Sequence, residues 1–154
     1  MMRSRDMDAI DKQLLTILTE NASYTATEIG AMIHLSIPAI NKRISKLKAA
    51  GIIERFTIQV DPKKIGKSVQ AIIMLVVDKY PQVQDLYDFI NSQKDVMECY
   101  AVTGEYDYMV RICTRDIDSL EELLLKLKEI HCVARSHTMF VLMEHKRLIG
   151  PLPD

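Results

Sequence analysis

The stretch Tyr24–Gly51, YTATEIGAMIHLSIPAINKRISKLKAAG, reads as two short helices joined by a tight turn. Thr25 and Glu28 stand in the T-x-x-E spacing of a capping box, in which hydroxyl and carboxylate each satisfy an orphan backbone N–H, so a helix starts near Ala26. Ile29, Met32 and Ile33 share one face of it, and Gly30 and Ala31 are small enough to let a neighbouring helix come close. The pattern breaks at His34-Leu35-Ser36. A turn this short needs a residue at positive φ, and His34 is a residue type that tolerates the left-handed region. Ser36 suits an N-cap and Pro38 the first turn of a second helix, where its missing N–H costs nothing.

In that second helix Ile37, Ile40, Ile44 and Leu47 recur at helical spacing, which leaves Ala39, Asn41, Lys42, Ser45 and Lys46 facing outward with Arg43 at the flank. Gly51 supplies the left-handed stop. A basic helix face is by itself an ordinary solvated surface. Here, however, seven Lys or Arg between His34 and Lys64 stand against only Glu54 and Asp61, an excess that suits phosphate contacts. The candidates to meet double-stranded DNA are Ser36, Ala39, Asn41, Lys42, Arg43, Lys46 and Arg55. Asn41 and Lys42 are placed for base edges, and Arg43, Lys46 and Arg55 for phosphates.

At 154 residues, 48% apolar and 27% charged, the chain has room for two small cores. Residues 1–64 carry ten basic and seven acidic side chains, whereas residues 65–154 carry ten and fourteen. A basic half that meets nucleic acid and an acidic half that stays off it fits this asymmetry. Met1–Asp11 is charged and lacks the apolar core of a secretory signal, and the longest apolar run, Ala71–Val77, is too short to span a bilayer. The expectation is a cytoplasmic protein with no membrane contact. Cys99, Cys113 and Cys132 have no metal-like spacing, so they read as reduced, mostly buried thiols, with no metal and no cofactor expected.

Ahead of the two helices, Ile10, Leu14, Leu15, Ile17 and Leu18 repeat with helical period behind Asp8 and Asp11, which predicts a helix from about Ala9 to Glu20. After them, Ile52–Val60 is rich in β-branched residues and stops at Asp61-Pro62, which predicts a strand or short hairpin, a wing. The period changes near residue 65. A strand at Val69–Val77 is apolar on both alternating faces, followed by an amphipathic helix from Pro81 to about Ser92. Strands at Val96–Thr103 and Tyr108–Thr114 flank the turn Gly104-Glu105-Tyr106-Asp107. A helix with the apolar face Ile117, Leu120, Leu124, Leu127 and Ile130 leads to a last strand, Val133–Met143. That order is the ferredoxin-like βαββαβ arrangement, a sheet with helices on one side. Its other face, with Ile72, Met74, Val76, Phe140 and Leu142, would be a large apolar patch in a monomer, and predicts dimerisation through the sheets.

Five features in order then carry a resemblance: Asp8-x-x-Asp11 before a Leu-rich helix, the Ile33–Ser36 turn, Arg43-Ile44-x-x-Leu47-x-x-x-Gly51-Ile52-Ile53, Ile65-Gly66, and Gly104-x-Tyr106-Asp107-Tyr108. Together they resemble the Lrp/AsnC, or feast/famine, transcription regulators over essentially the whole chain. His34 departs from the glycine usual in that family's turn.

The resemblance implies an α+β protein. A winged helix-turn-helix would occupy residues 1–64, with the helix-turn-helix itself at about 25–50. A ferredoxin-like, ligand-sensing and oligomerising domain would follow over 65–154. It also implies dimers that join into octamers, and DNA affinity that responds to a small effector, an amino acid. Carried over onto this chain, the effector positions are Tyr100, Thr103, Gly104, Tyr106 and Asp107, with Ser136 and Thr138 on the last strand.

The Gly104 turn has a physical case of its own: glycine lets backbone N–H groups face a carboxylate, and Asp107 can accept from an ammonium group, which suits a zwitterion. The same four residues also fit a plain hairpin connection. Two other functions use the same halves: a ligand-independent architectural DNA-binding protein, and an enzyme-regulatory subunit. No catalytic set supports the latter, since His34, His131, His137 and His145 are scattered and no phosphate-cradling loop is present.

Overall fold

The computed structural model describes residues 7–147 and 150–153. They form two compact units: one holds the chain up to Gln59 together with the stretch from Lys146, the other is Val60–His145.

The first unit is built on α1 (Ala9–Glu20), α2 (Ala26–Ile33) and α3 (Ile37–Ala49). Asp8 caps α1 by accepting the Asp11 N–H at 2.8 Å, while the Asp11 carboxylate turns back to the Asp8 N–H at 3.4 Å. The helical periods of the sequence meet in one core of Leu14, Leu18, Ile29, Ile33, Ile40 and Leu47. Two residues leave their expected stripes. Met32 is 45% exposed, because Gly30 rather than Met32 takes the inner side of α2, and Ile37 is 46% exposed at the first position of α3.

Gly51 (φ 73) ends α3, and the Ile52 and Ile53 N–H groups both return to the Leu47 carbonyl at 3.0 and 3.2 Å. The expected strand over Ile52–Val60 does not form: among the described residues nothing pairs with 54–60, and Ile58 is 82% exposed. β-Branched composition describes side chains that fit a pleated surface, whereas a strand also needs a second backbone. The Lys48 ammonium lies 4.7 Å from the Phe56 ring centre, a contact between α3 and the segment that follows it.

The second unit follows the order β1 (Val69–Val77), α4 (Val83–Ser92), β2 (Val96–Ala101), β3 (Tyr108–Thr114), α5 (Ile117–Lys128) and β4 (Val133–Phe140). The sheet order is β2-β3-β1-β4 and every pair is antiparallel, the ferredoxin-like arrangement expected. Alternation does the sorting. Ala71, Ile73, Leu75 and Val77 bury one side of β1 with Val110 and Ile112 of β3, against Leu86 and Ile90 of α4 and Leu120, Leu123 and Leu127 of α5. Leu123 is buried in that face where the spacing puts Leu124, which is half-buried, and Ile117 is exposed where α5 begins. Cys113 and Cys132 are buried and Cys99 half-buried. Burial pushes the Cys99 and Cys132 thiols up.

The opposite face of the sheet presents Ile72, Met74 and Val76 of β1, half-buried, opposite Met139, His137 and Arg135 of β4. Arg111 and Glu98 pair across it in a two-point contact of 2.7 and 3.1 Å. Phe140 is not on this face: it lies opposite Ala71, on the helix side at the sheet margin. β4 ends there rather than at Met143. The Val141 N–H makes one more bond, to the Gln70 carbonyl at 2.9 Å, and Leu142 beyond it is 96% exposed.

Candidate functional site

The turn between α2 and α3 is made by a left-handed histidine and a glycine with no room for a side chain. His34 has φ 57 and ψ 43, the conformation the sequence required of it. A Cβ on Gly30 would stand 2.6 Å from the Leu35 carbonyl oxygen, while the Leu35 N–H bonds the Gly30 carbonyl at 3.1 Å. Thr25 and Glu28 form the capping box that starts α2, at 3.2 and 2.7 Å. Ser36 sits at the N-cap of α3 in extended conformation, yet its hydroxyl makes no capping bond, and it is exposed. Pro38 removes the N–H of the second helical position from the donors such a cap would use.

With Ile40 and Leu47 buried, α3 turns Asn41, Lys42, Ser45 and Lys46 outward, all exposed. Lys42 and Lys46 are one turn apart on that face, as are Asn41 and Ser45. Ala39 is half-buried, and Arg55 is exposed on the segment beyond α3. Arg43 differs from the other predicted phosphate contacts. Its Nη1 lies 2.8 Å from Asp8 Oδ2 and 2.6 Å from Asp11 Oδ1, and these hydrogen bonds push its pKa further up. The outward face is therefore polar and cationic through Asn41, Lys42 and Lys46, with Ser36 and the exposed Ile37 where α3 begins.

In the second unit the β2–β3 turn is tied down by its own Asp107. The Val102 N–H bonds the Asp107 carbonyl at 2.9 Å, and Gly104 at φ 120 takes the conformation only glycine adopts easily. The Asp107 N–H bonds the Leu75 carbonyl at 2.8 Å. One Asp107 carboxylate oxygen accepts the Val77 N–H at 2.8 Å and the other the Tyr80 hydroxyl at 2.7 Å. The Val77 bond first, then the Tyr80 hydroxyl, hold the Asp107 carboxyl below its usual range, and the same contact raises Tyr80.

Tyr106 lies beside His137, ring centres 6.4 Å apart, with the Arg135 guanidinium 5.7 Å from its ring. Glu105 meets Arg135 at 3.3 Å. The turn is thus gathered with Arg135 and His137, two residues the sequence reading did not place there; their signal was the period-two alternation of β4. Ser136 and Thr138 lie opposite Leu75 and Ile73, on the helix side of the sheet, away from Tyr106. Tyr100 is exposed on β2 opposite Met109. Thr103 and Gly104 are exposed at the turn itself.

Among the described residues no group of three His, Cys, Asp or Glu is placed to hold a metal ion, and no helix is long and apolar enough to cross a membrane.

The family description "winged helix-turn-helix DNA-binding" matches residues 7–54, and "Lrp/AsnC ligand binding domain" matches residues 70–149. The HTH-type transcriptional regulator FL11 of Pyrococcus horikoshii is 33% identical over 140 residues, 91% of this chain and 92% of its own. Among solved structures, a transcriptional regulator of Neisseria meningitidis in complex with L-Met superposes with a TM-score of 0.91 at 28% identity, over 95% of this chain and 97% of that one. Escherichia coli AsnC superposes with a TM-score of 0.84 at 29% identity, over 94% and 99%. A helix-turn-helix with a cationic outward face, joined in one chain to a ferredoxin-like sheet and matched by relatives along nearly its whole length, makes this protein a member of the Lrp/AsnC family of DNA-binding transcriptional regulators.

Proposed function

We propose that residues 1–64 read double-stranded DNA through α3, and that residues 65–154 sense a small amino acid and assemble the protein, in the cytoplasm and without catalysis. The observation that carries the DNA reading is the division of α3: Ile40 and Leu47 are buried, while Asn41, Lys42 and Lys46 are exposed on the opposite side. Asn41 and Lys42 meet base edges, Lys46 and Arg55 meet phosphates, and Ser36 and Ala39 border the contact. The uncovered sheet face, with Ile72, Met74, Val76 and Met139, supports a homodimer; an octamer rests on family resemblance alone. A two-fold dimer favours a roughly palindromic site with half-sites about one helical turn apart. Light scattering that returns a monomer removes that expectation.

Lys46→Ala is expected to weaken binding to every duplex alike and to shallow the plot of log affinity against log salt by about one unit. Asn41→Ala is expected to cost about 1–3 kcal/mol, mainly on the preferred site. Binding isotherms on a selected site and on random duplex across a salt series measure both. If neither variant changes any affinity, α3 is not the reader.

The effector reading is supported by the relative solved with L-Met and by the exposed Thr103-Gly104 turn beside Tyr106. Asp107 enters it as the residue that orders the turn, since both its oxygens already hold protein donors. Titrating amino acids, methionine first, should raise the melting temperature by mass action. Thr103→Val should remove that rise and keep the unliganded midpoint. Asp107→Ala should lower the midpoint itself, because the Val77 N–H loses its acceptor. No rise with any amino acid would leave the architectural DNA-binding reading in its place.

A further inference from the structure

The carboxylates that start α1 also hold the helix proposed to read DNA. Asp8 divides its oxygens: Oδ1 accepts the Asp11 N–H at 2.8 Å as the helix cap, and Oδ2 accepts from Arg43 Nη1 at 2.8 Å. Asp11 divides its own in the same way, Oδ2 facing the Asp8 N–H at 3.4 Å and Oδ1 accepting from the same Arg43 nitrogen at 2.6 Å. Asp11 has no exposed surface at all, and the Arg43 side chain is a quarter exposed. Among the described residues of α3, Arg43 alone forms an ion pair.

The apolar residues Ile40 and Leu47 keep α3 on the core, but burial is not directional and permits some rotation of a helix about its own axis. A guanidinium held between two carboxylates of another helix is directional and fixes that rotation. Arg43 follows Asn41 by two residues and precedes Lys46 by three, so the angle it fixes is the angle at which both present themselves.

Resting on the reading that α3 meets DNA, we propose that Arg43 is not a phosphate contact but a positioning residue, and that the Asp8–Arg43–Asp11 clamp sets which α3 side chains face base edges. Asp11 then governs sequence preference without touching a base.

The sign of one substitution separates this from electrostatics. Two carboxylates and one guanidinium leave the cluster net negative. Asp11→Asn removes a negative charge near the DNA face, so charge alone makes it bind every duplex more tightly. The clamp makes it bind the preferred site more weakly. Arg43→Lys keeps the positive charge but loses the planar guanidinium that holds Nη1 between the two acids, a position the flexible lysine stem does not fix.

The experiment measures both variants, with Lys46→Ala as the phosphate control, on a site obtained by in vitro selection and on random duplex across a salt series. Arg43→Lys and Asp11→Asn are each expected to cut the ratio of selected to random affinity by roughly tenfold, the size of one lost base contact. The salt slope of Asp11→Asn stays at the parent value, while Lys46→Ala shallows its slope and keeps the ratio. Arg43→Ala keeps the parent slope as well. If Arg43→Ala instead shallows the slope by about one with the ratio kept, or Asp11→Asn tightens both duplexes alike, the proposal is overturned and Arg43 is a phosphate contact. If Lys46→Ala and Asn41→Ala change nothing either, the parent reading of α3 has failed and this proposal with it. Should the Asp11 and Arg43 variants fail to fold, as circular dichroism would show, Asp8→Asn carries the test with the same expected loss of ratio. Asparagine still caps α1, and the Asp8 side chain is more than half exposed.

Discussion

Leu47→Ala is expected to destabilise the helical unit by about 2–5 kcal/mol, the cost of lost transfer energy plus a cavity that the surroundings only partly fill. Leu47 has no exposed surface and packs from α3 into the cluster that Leu14 and Leu18 of α1 and Ile29 and Ile33 of α2 complete. A core of six buried side chains has little reserve: small domains are stable by only about 5–15 kcal/mol, and the smallest sit at the low end. The variant should therefore lose DNA binding through loss of the reader's fold, not of a contact. Urea unfolding followed by helical circular dichroism measures it, with DNA binding assayed alongside. A midpoint equal to the parent's would contradict the burial of Leu47.

Gly30→Ala should also destabilise, against the ordinary rule. Within an exposed helix the change from glycine to alanine stabilises by about 1 kcal/mol, because the unfolded glycine has more freedom to lose. At Gly30 the added carbon would stand 2.6 Å from a main-chain oxygen, that of Leu35, which cannot swing aside as a side chain can. Either α2 or the turn must shift, and overpacking of this kind costs about 1–3 kcal/mol. The sign is the test. Gly30→Ala should melt below the parent, whereas Gly51→Ala, which meets no atom within 4 Å, suffers only from its left-handed φ of 73. If Gly30→Ala melts above the parent, the close approach of the turn to α2 is not real.

The helices were legible in the sequence because their apolar periods, and in α1 and α2 their caps as well, agree with their packing. Thr25 with Glu28 and Asp8 with Asp11 cap their helices with side-chain bonds, and the apolar periods match the buried faces apart from Met32, Ile37 and Ile117. His34 was legible for a steric reason, since the turn offered no glycine. What was not legible depends on distant partners. The composition of Ile52–Val60 says strand, but pairing is decided by whether another backbone lies beside it. The side of the sheet on which Phe140 falls depends on its register with Ala71, and a slip of one residue reverses every side chain.

The site was legible to the same extent. Spacing placed Asn41, Lys42 and Lys46 on the outward side of α3, where they lie. Arg43 also lay at the edge of that set, and only the folded chain brings Asp8 and Asp11 to occupy it. At the Gly104 turn, the residues next to Tyr106 are Arg135 and His137, reached through β4 rather than through the sequence nearby.

The sheet order β2-β3-β1-β4 carries a consequence for synthesis on the ribosome. β1 is the first strand made, yet it lies between the second-last and the last: it pairs with β3 through Ile73 and Val110 and with β4 through Ile73 and Thr138. Every contact of the three-helix core, by contrast, lies among residues already made when β1 emerges. The nascent chain can assemble its three-helix core early, while the run VQAIIMLVV, apolar on both faces, waits for β4 without its second partner. Such a segment is the kind that sticks to others of its own sort, and late pairing of distant strands is slow. In this chain a nine-residue strand with the composition that favours aggregation stays without its last partner until β4 has been made.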